Sequence, residues 1–175
     1  MKVVKPTTLT AAMLVSTDAA ETYSAWNAAT AYVLDDIVLR TTTERLYQRL
    51  VAGTTATAPE SDTTNWLDIA PSNKWAMFDG EISTVTTKST SLTVVLKPGY
   101  VNSLALFGLV GSNLSVTVRD ALAGNIVYTL SQDLDGTIIA DWYQYFFEPV
   151  VQLAELVLTD LPPYGDAHIT VALTG

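Results

Sequence analysis

The chain has 175 residues and a formal net charge of -9, with 49% hydrophobic and 15% charged residues. This composition is too apolar for a disordered chain, and the apolar residues are spread too evenly for insertion into a membrane. The acidic balance argues against nucleic-acid binding, which needs clustered Lys and Arg, and the absence of cysteine excludes disulfides and cysteine-ligated zinc.

Residues 1–24 are predicted to form an N-terminal arm. Pro6 interrupts any apolar signal region, so we expect the chain to stay in the cytoplasm or to enter a particle assembled there. Thr10 is a candidate N-cap for a short helical turn. Two arrangements are open: the arm docks on a neighbouring subunit, or it folds back on its own domain. The candidate docking residues are Val3, Val4, Met13 and Leu14.

Residues 25–71 are predicted to form a small β domain. Short β-segments alternate there with polar turns, a pattern typical of a hairpin followed by a third strand. A module of about 45 residues has a small core and depends on large side chains for burial. The predicted core residues are Trp26, Tyr32, Tyr47 and Trp66.

The junction around residues 72–80 holds three large apolar side chains, Trp75, Met77 and Phe78. Aromatic and thioether side chains bury much area and adapt to irregular gaps, so these residues are candidates for a clamp between the two domains. The alternative is that they belong to the first strand of the C-terminal domain and fill its own core.

Residues 72–175 are predicted to form an antiparallel β-sandwich of jelly-roll type with about eight strands. Four segments alternate apolar and polar residues as half-buried strands do, and they are residues 92–96, 114–118, 126–130 and 169–173. Residues 104–110 are apolar on both faces, so we expect them at the centre of a sheet or under a neighbouring subunit.

The densest aromatic run follows residue 141 and contains Trp142, Tyr143 and Tyr145, then Phe146 and Phe147. Aromatic side chains dominate the energetics of protein interfaces and also stack on sugar rings. Trp142, Tyr143 and Tyr145 are therefore candidates for contact with another subunit or, less favoured, with a glycan. We expect alternate rings to point into the sandwich and the others to be exposed.

Catalytic and metal sites are not predicted. His168 is the only histidine, so a multi-histidine metal site cannot be built. It precedes an alternating strand, where a structural role is expected. Asp133 and Asp135 resemble the start of a calcium loop, but the twelfth position is Gln144 and not an acid. The sequence thus predicts no enzyme, no cofactor and no metal.

The order Ala25-Trp26, Tyr32, Asp36-x-Val38, Tyr47, Pro59 and Trp66 resembles the small chitin-binding module attached to bacterial chitinases. The resemblance implies a three-stranded sheet held by these aromatic positions. In that family, exposed aromatics for sugar binding follow the strand of Tyr47, but here that strand continues Gln48-Arg49-Leu50-Val51. The resemblance therefore implies the fold of the module and not glycan binding by it.

Taken whole, the chain resembles a group of virion structural proteins from long-tailed bacteriophages. The likeness is carried by the order of the arm Met1-Lys2-Val3-Val4-Lys5-Pro6, the chitinase-type pattern, Asn73-Lys74-Trp75-Ala76-Met77-Phe78-Asp79 and a sandwich containing Asp141-Trp142-Tyr143-Gln144-Tyr145. It implies a subunit of the tail tip, baseplate or fibre-attachment region, which assembles with itself and with other virion proteins.

The sandwich is also similar to galactose-binding-like domains, in which loops at one end hold sugar or calcium. This similarity implies the alternative function, a carbohydrate-binding module for a host cell-surface polysaccharide. That fold often serves as a plain scaffold, so we place the structural role first.

Overall fold

The computed structural model describes residues 5–81, 83–137, 139–147, 149 and 151–175. The chain divides into two compact units. The small unit is Ala19–Thr87, and the large unit consists of the chain up to Asp18 together with Lys88–Gly175. The prediction of an all-β chain, with a small three-stranded module followed by an antiparallel β-sandwich, is confirmed. These boundaries, after residues 18 and 87, differ from the predicted ones after residues 24 and 71. The N-terminal segment joins the large unit because its first strand pairs there.

Ten strands and one short α-helix are the main elements of the described residues. The strands are β1 (Leu14–Thr17), β2 (Ile37–Arg40), β3 (Arg45–Arg49), β4 (Trp66–Pro71), β5 (Ser91–Leu96), β6 (Leu104–Phe107), β7 (Asn113–Arg119), β8 (Ile126–Asp133), β9 (Glu155–Leu158) and β10 (His168–Thr174). The helix α1 (Trp142–Phe147) lies between β8 and β9, and short 3-10 turns occur at Ala11–Met13, Pro59–Ser61 and Ala76–Phe78.

The small unit is an antiparallel sheet in the order β2-β3-β4, packed around aromatic side chains. Trp66 is 2% exposed, and Tyr32 contacts it edge to face with the ring centroids 5.2 Å apart. The Arg49 guanidinium lies 4.8 Å from the centroid of the Trp66 ring. Such aromatic and cation–π contacts add roughly 0.5–2 kcal/mol each to the burial of the ring. The core members are Tyr32, Val38, Tyr47 and Trp66, with Trp26 packed against them.

A tight turn leads into β2 of the small unit. Asp35 adopts a φ of 69°, in the left-handed region that Asp tolerates better than most residues. Its carboxylate accepts a hydrogen bond from Gln48 Nε2 at 2.8 Å, and the neighbouring Asp36 carboxylate accepts one from the Val33 N–H at 2.7 Å. These side-chain bonds hold the turn and fix the start of the strand.

The large unit contains a five-stranded antiparallel sheet in the order β1-β5-β10-β7-β8 and a two-stranded ribbon of β6 and β9. Alternate residues of β7, namely Leu114, Val116 and Val118, are almost completely buried on one face of the sheet. Ile169 of β10 pairs with Val118 and belongs to the same core. The ribbon residues packed against this core are Leu104, Leu106, Leu156 and Leu158. Sheet and ribbon therefore form the two layers of the sandwich.

The predicted strands of the sandwich can be compared directly with the observed ones. The four alternating segments are β5, β7, β8 and β10, so these predictions are confirmed. The placement of residues 104–110 at a sheet centre is wrong, because β6 ends at Phe107 and β9 is its only strand partner among the described residues. Phe107 and Val110 are exposed. Their coverage by a neighbouring subunit stays a prediction.

Candidate interaction site

The aromatic run of the large unit forms the helix α1, because a capping arrangement precedes it. Asp141 Oδ1 accepts a hydrogen bond from the Gln144 N–H at 2.8 Å, and Gln144 Oε1 accepts one from the Ala140 N–H at 2.6 Å. The first helical bond runs from the Tyr145 N–H to the Asp141 carbonyl. An acidic or hydroxyl N-cap followed three residues later by Glu or Gln satisfies free N–H groups at both positions. This cap starts a helix in a segment whose aromatics otherwise favour strands.

All five aromatic residues of α1, which we call the aromatic helix, are exposed. Their exposed fractions run from 61% at Tyr145 to 78% at Trp142. The prediction that alternate rings point into the sandwich is therefore wrong. Since residues three and four apart lie on one side of a helix, a helix cannot send alternate residues to opposite faces as a strand does.

The five rings contact one another in two sets. Set 1 consists of Trp142, Tyr145 and Phe146: Tyr145 lies edge to face with both other rings, at centroid distances of 6.1 Å and 5.1 Å, and Trp142 stacks with Phe146 at 6.5 Å. Set 2 consists of Tyr143 and Phe147, whose centroids are 4.9 Å apart. These contacts hold the rings in defined positions although they face solvent.

Residues 134–136 and 151–153, which lie on either side of the aromatic helix in the sequence, pair with each other and form what we call the neck. The Gly136 N–H donates to the Val151 carbonyl at 2.8 Å, and the Leu153 N–H donates to the Leu134 carbonyl at 2.9 Å. Leu134 is buried in the core of the large unit. A Cβ on Gly136 would lie 3.3 Å from Leu153 side-chain atoms and from the Val151 carbonyl oxygen, so the two sides of the neck are closely packed. The neck therefore connects an exposed helix to the buried core.

The residues that resemble a calcium loop are used in turns of the neck. Asp133 Oδ1 accepts from the Asp135 N–H at 3.0 Å, and Asp135 Oδ1 accepts from the Thr137 N–H at 2.9 Å. Hydrogen bonding by the Thr137 side chain, and then by its N–H, lowers the pKa of Asp135. Among the described residues, no group of three or more His, Asp or Glu side chains is placed to hold a metal ion.

The candidate arm residues lie partly within the described chain. Val3 and Val4 lie outside the described residues. Leu14 begins β1 and pairs with Leu96, and the Lys97 N–H donates to the Met13 carbonyl at 2.7 Å. Met13 and Leu14 are partly buried. Residues 14–17 thus fold back on their own unit, the second of the two arrangements considered, and docking of the arm on a neighbouring subunit stays a prediction.

The candidate clamp residues lie in the small unit. Trp75 and Phe78 contact edge to face with centroids 5.5 Å apart, and the Met77 N–H donates to Thr86 Oγ1 at 3.1 Å. Residues 76–78 form a 3-10 turn, so the alternative that this segment is the first strand of the sandwich is wrong. The role of these side chains as a clamp stays a prediction.

Two further predicted sites can be located. His168 is buried at the start of β10, and its Nδ1–H donates to the Asp166 carbonyl at 2.9 Å, which is a structural contact. In the small unit, Leu50 and Val51, which follow the strand that holds Tyr47, are both exposed. These aliphatic side chains lack the flat ring that stacks on a sugar.

Two members of the exposed surface were left out of the predicted site, namely Phe146 and Phe147. The signal that identifies them is the spacing of four residues between Trp142 and Phe146 and between Tyr143 and Phe147, which places each pair on one side of a helix. The Asp-x-x-Gln pattern at Asp141 is the matching signal for the helix start.

Comparison of the chain with protein-family models, with curated protein sequences and with solved structures finds no match. Within the described residues, no helix is both long and apolar enough to cross a membrane. The aromatic helix and its neck are therefore interpreted from their own geometry.

Proposed function

We propose that this chain is a structural and interaction subunit of a bacteriophage tail, in the tail tip, baseplate or fibre-attachment region, and that the aromatic helix is a surface for protein contact. The observation that carries the proposal is the exposure of all five rings of the helix. The order of sequence motifs supports the virion context, and the exposed rings support the role in assembly.

The size of the exposed aromatic surface favours a contact role. An aromatic side chain presents roughly 150–250 Å², so five residues exposed by 61–78% present roughly 500–900 Å² in total. The largest apolar patch of a typical monomer is about 300–600 Å² and is often functional. A helix that is hydrophobic on most of its circumference is usually buried. Because this helix is exposed in its own unit, we propose that a partner protein covers it.

The neck supports the same role. Leu134 belongs to the buried core of the large unit, and the hydrogen-bonded neck brings together the two chain segments that lead towards the helix. Large, rigid aromatics on such a base are typical of the residues that contribute most to a protein interface.

A carbohydrate-binding module is the second candidate, because exposed Trp142, Tyr143 and Tyr145 could each stack on a sugar ring. Sugar binding also needs polar groups beside the rings. Among the described residues next to the rings in sequence, Asp141 and Gln144 already accept hydrogen bonds at the helix N-terminus. We therefore place protein contact first.

The proposal is tested by hydroxyl-radical oxidation, read by mass spectrometry, of the isolated chain and of the phage particle that contains it. We expect Trp142, Tyr143 and Tyr145 to be oxidised in the isolated chain and protected in the particle. Tyr100, which is 82% exposed elsewhere in the large unit, reports general accessibility, and buried Trp66 reports unfolding.

Rings that stay as reactive in the particle as in the isolated chain would contradict the contact role. Protection that appears only after host polysaccharide is added to the particle would establish the glycan candidate instead. Absence of the chain from purified particles would contradict the virion assignment.

A further inference from the structure

We infer that the small unit is a module inserted into the connection between β1 and β5, that it unfolds without the sandwich, and that the side chain of Asn73 joins its two ends. When the module unfolds, β1 is the strand of the sandwich that responds. The inference concerns the folding of the chain and does not rest on the proposed function. It is supported by the strand pairing beside the insertion, by one polar cluster in each unit and by the separation of the two cores.

The small unit interrupts a pair of neighbouring strands. β1 and β5 are antiparallel neighbours in the large unit, with Thr17 opposite Val94. Residues 19–87, which form the small unit, lie between these strands in the sequence. Antiparallel neighbours can be joined by a turn of about two residues. The small unit is therefore not needed as a connection, and the pairing of β1 with β5 brings the chain before and after the insertion together.

A polar cluster of the large unit holds the chain on either side of the insertion. Asp18 and Lys88 are the residues of the large unit that flank the small unit in the sequence. Lys88 Nζ donates to Asp18 Oδ2 at 2.6 Å, and Asp18 Oδ1 accepts from the Thr93 N–H at 2.7 Å. The hydrogen bond from Lys88, and then the one from Thr93, lower the pKa of Asp18. All three residues belong to the large unit, which thus ties the end of β1 to the segment that enters β5.

In the small unit, the side chain of Asn73 joins the beginning of the module to its end. Its Nδ2 group donates to the Ala20 carbonyl at 2.8 Å and to the Thr87 carbonyl at 3.0 Å, and its Oδ1 accepts from the Thr87 N–H at 2.9 Å. An amide side chain can both donate and accept, whereas an ionised carboxylate only accepts. Asn73→Asp would therefore place a charged oxygen against carbonyl oxygens and remove both donated bonds.

The backbone at Asn73 is also held from both ends of the module. The Glu21 carboxylate, near the beginning, accepts from the Asn73 and Lys74 N–H groups at 3.0 Å and 3.1 Å. The Thr86 hydroxyl, near the end, donates to the Asn73 carbonyl at 2.6 Å. The module is thus closed by contacts between its own residues, as expected of a unit that can fold alone.

Each unit has its own core. Among the described residues, the two clusters of buried side chains share no member: the cluster of the large unit includes Leu114 and Ile169, and that of the small unit is Tyr32, Val38, Tyr47 and Trp66. Removal of a buried ring from one cluster therefore leaves the packing of the other unchanged. Separate cores allow one unit to open while the other stays folded.

Chain entropy predicts one coupling between the two units. Folding of the small unit keeps the connection between β1 and β5 effectively short. On unfolding, this connection becomes a flexible loop of about 70 residues, and the entropic cost of closing a loop rises with its length. β1 lies at the edge of the sheet beside β5, whereas β5 is also paired with β10. β1 should therefore open more often, while the other strands keep their pairing.

The test is hydrogen exchange of the full chain, read by mass spectrometry. In Trp66→Ala we expect exchange at the β3 amides to quicken by about 100-fold or more, because a buried ring is lost. Exchange should quicken by about 10-fold to 100-fold at the β1 amides and by less than about twofold at those of β7 and β10. The reciprocal variant Leu114→Ala truncates a fully buried side chain of the large unit, so it should quicken exchange in β7 and leave that in β3 unchanged.

Asn73→Asp tests the closure of the module. It should quicken exchange at the β3 and β4 amides by about 10-fold or more, because two buried or partly buried carbonyl groups lose their donor. Asn102→Asp is the matched control, since Asn102 is exposed in the large unit and its Oδ1 accepts from the Ser103 hydroxyl at 3.0 Å, a bond that a carboxylate also accepts. This control should keep exchange in both units within about twofold of the wild type.

Each part of the inference has its own contradicting result. Exchange in β7 and β10 that quickens in Trp66→Ala as much as exchange in β3 would overturn independent unfolding, and so would a Trp66→Ala chain that is unfolded throughout. Equal effects of Asn73→Asp and Asn102→Asp on the small unit would overturn the role of Asn73. Unchanged exchange in β1 of Trp66→Ala would overturn the coupling through the connection.

Discussion

The small unit and the aromatic helix use the same residue types in opposite ways. Trp66 is 2% exposed and contacts Tyr32 and the Arg49 guanidinium, whereas Trp142 is 78% exposed and its ring contacts two other exposed rings of its helix. A small β module needs large rings to fill its core. The large unit has an aliphatic core, built from residues such as Val116 and Leu134, and its exposed rings remain available for a partner.

The difference shows that the arrangement of aromatic residues, and not their number, separates core from contact surface. In the small unit the rings come from separate strands and loops, and they meet in one cluster with Val38. In the aromatic helix five of six successive residues are aromatic, so they extend over more than one face of the helix and cannot all face one core. We therefore interpret a continuous run of aromatic residues on an exposed helix as a surface for contact with a partner protein.

The largest expected effect is the loss of the small-unit core. Trp66→Ala should lower the free energy of unfolding of the small unit by about 3–5 kcal/mol, because it removes a buried ring and leaves a cavity. Trp142→Ala should change it by less than about 0.5 kcal/mol at concentrations where the chain is monomeric. Denaturant unfolding followed by circular dichroism measures both. Equal losses of unfolding free energy in the two variants would contradict the assignment of Trp66 to the core and of Trp142 to the surface.

The second effect concerns the base of the neck. Leu134→Ala should lower the stability of the large unit by about 2–5 kcal/mol, since its side chain is fully buried. Leu153→Ala, on the other side of the neck and 38% exposed, should cost about 1 kcal/mol. Hydrogen exchange should quicken at the Gly136 and Leu153 amides in Leu134→Ala. Unchanged exchange at these amides would show that the neck is not held by the core.

The smallest effect comes from an ion pair of the small unit. Arg40 Nε donates to Glu60 Oε2 at 2.7 Å, and this bond lowers the pKa of Glu60. A carboxyl whose pKa is lower in the folded state contributes stability above its unfolded pKa, and this is lost as the pH falls through the folded value. Because both side chains are partly exposed, the contribution should be at most about 1 kcal/mol.

Glu60→Gln should therefore remove a small stability advantage at pH 7 and lose less stability on acidification below the ordinary carboxyl pKa than the wild type does. Arg40→Gln should reduce the same pH dependence, since it removes the other partner. Thermal melts of both variants from pH 7 down to pH 3 measure this. A Glu60→Gln melting curve with the same acid dependence as the wild type would contradict the role of the pair.

Most of the sandwich was predictable, because period-two alternation is a direct sign of a half-buried strand. Segments such as 114–118 and 169–173 pair as adjacent strands with their apolar residues on one face. The position of residues 104–110 was not predictable in the same way, since an apolar run fits a central strand and an exposed ribbon equally well. The N-terminal segment joins the large unit because pairing of β1 with β5 brings distant parts of the chain together, which no local pattern reports.

The candidate site was predicted in composition but not in structure. Aromatic residues favour strands, so composition predicts alternation for the run after Asp141, whereas the capping pattern of Asp141 and Gln144 predicts the start of a helix. The helix lies between the two sides of the neck, which are separated in the sequence by the whole aromatic segment. Pairing of Gly136 with Val151 is a tertiary feature that spacing does not encode.

The contrast between buried and presented rings is tested most directly by oxidation of Trp66 and Trp142 in one dilute sample of the intact chain. Peptide mapping after increasing radical dose gives a rate for each residue under identical conditions. We expect rapid oxidation of Trp142 and slow oxidation of Trp66, because their side chains are 78% and 2% exposed. Equal rates for the two residues would contradict the assignment of the aromatic helix as a contact surface.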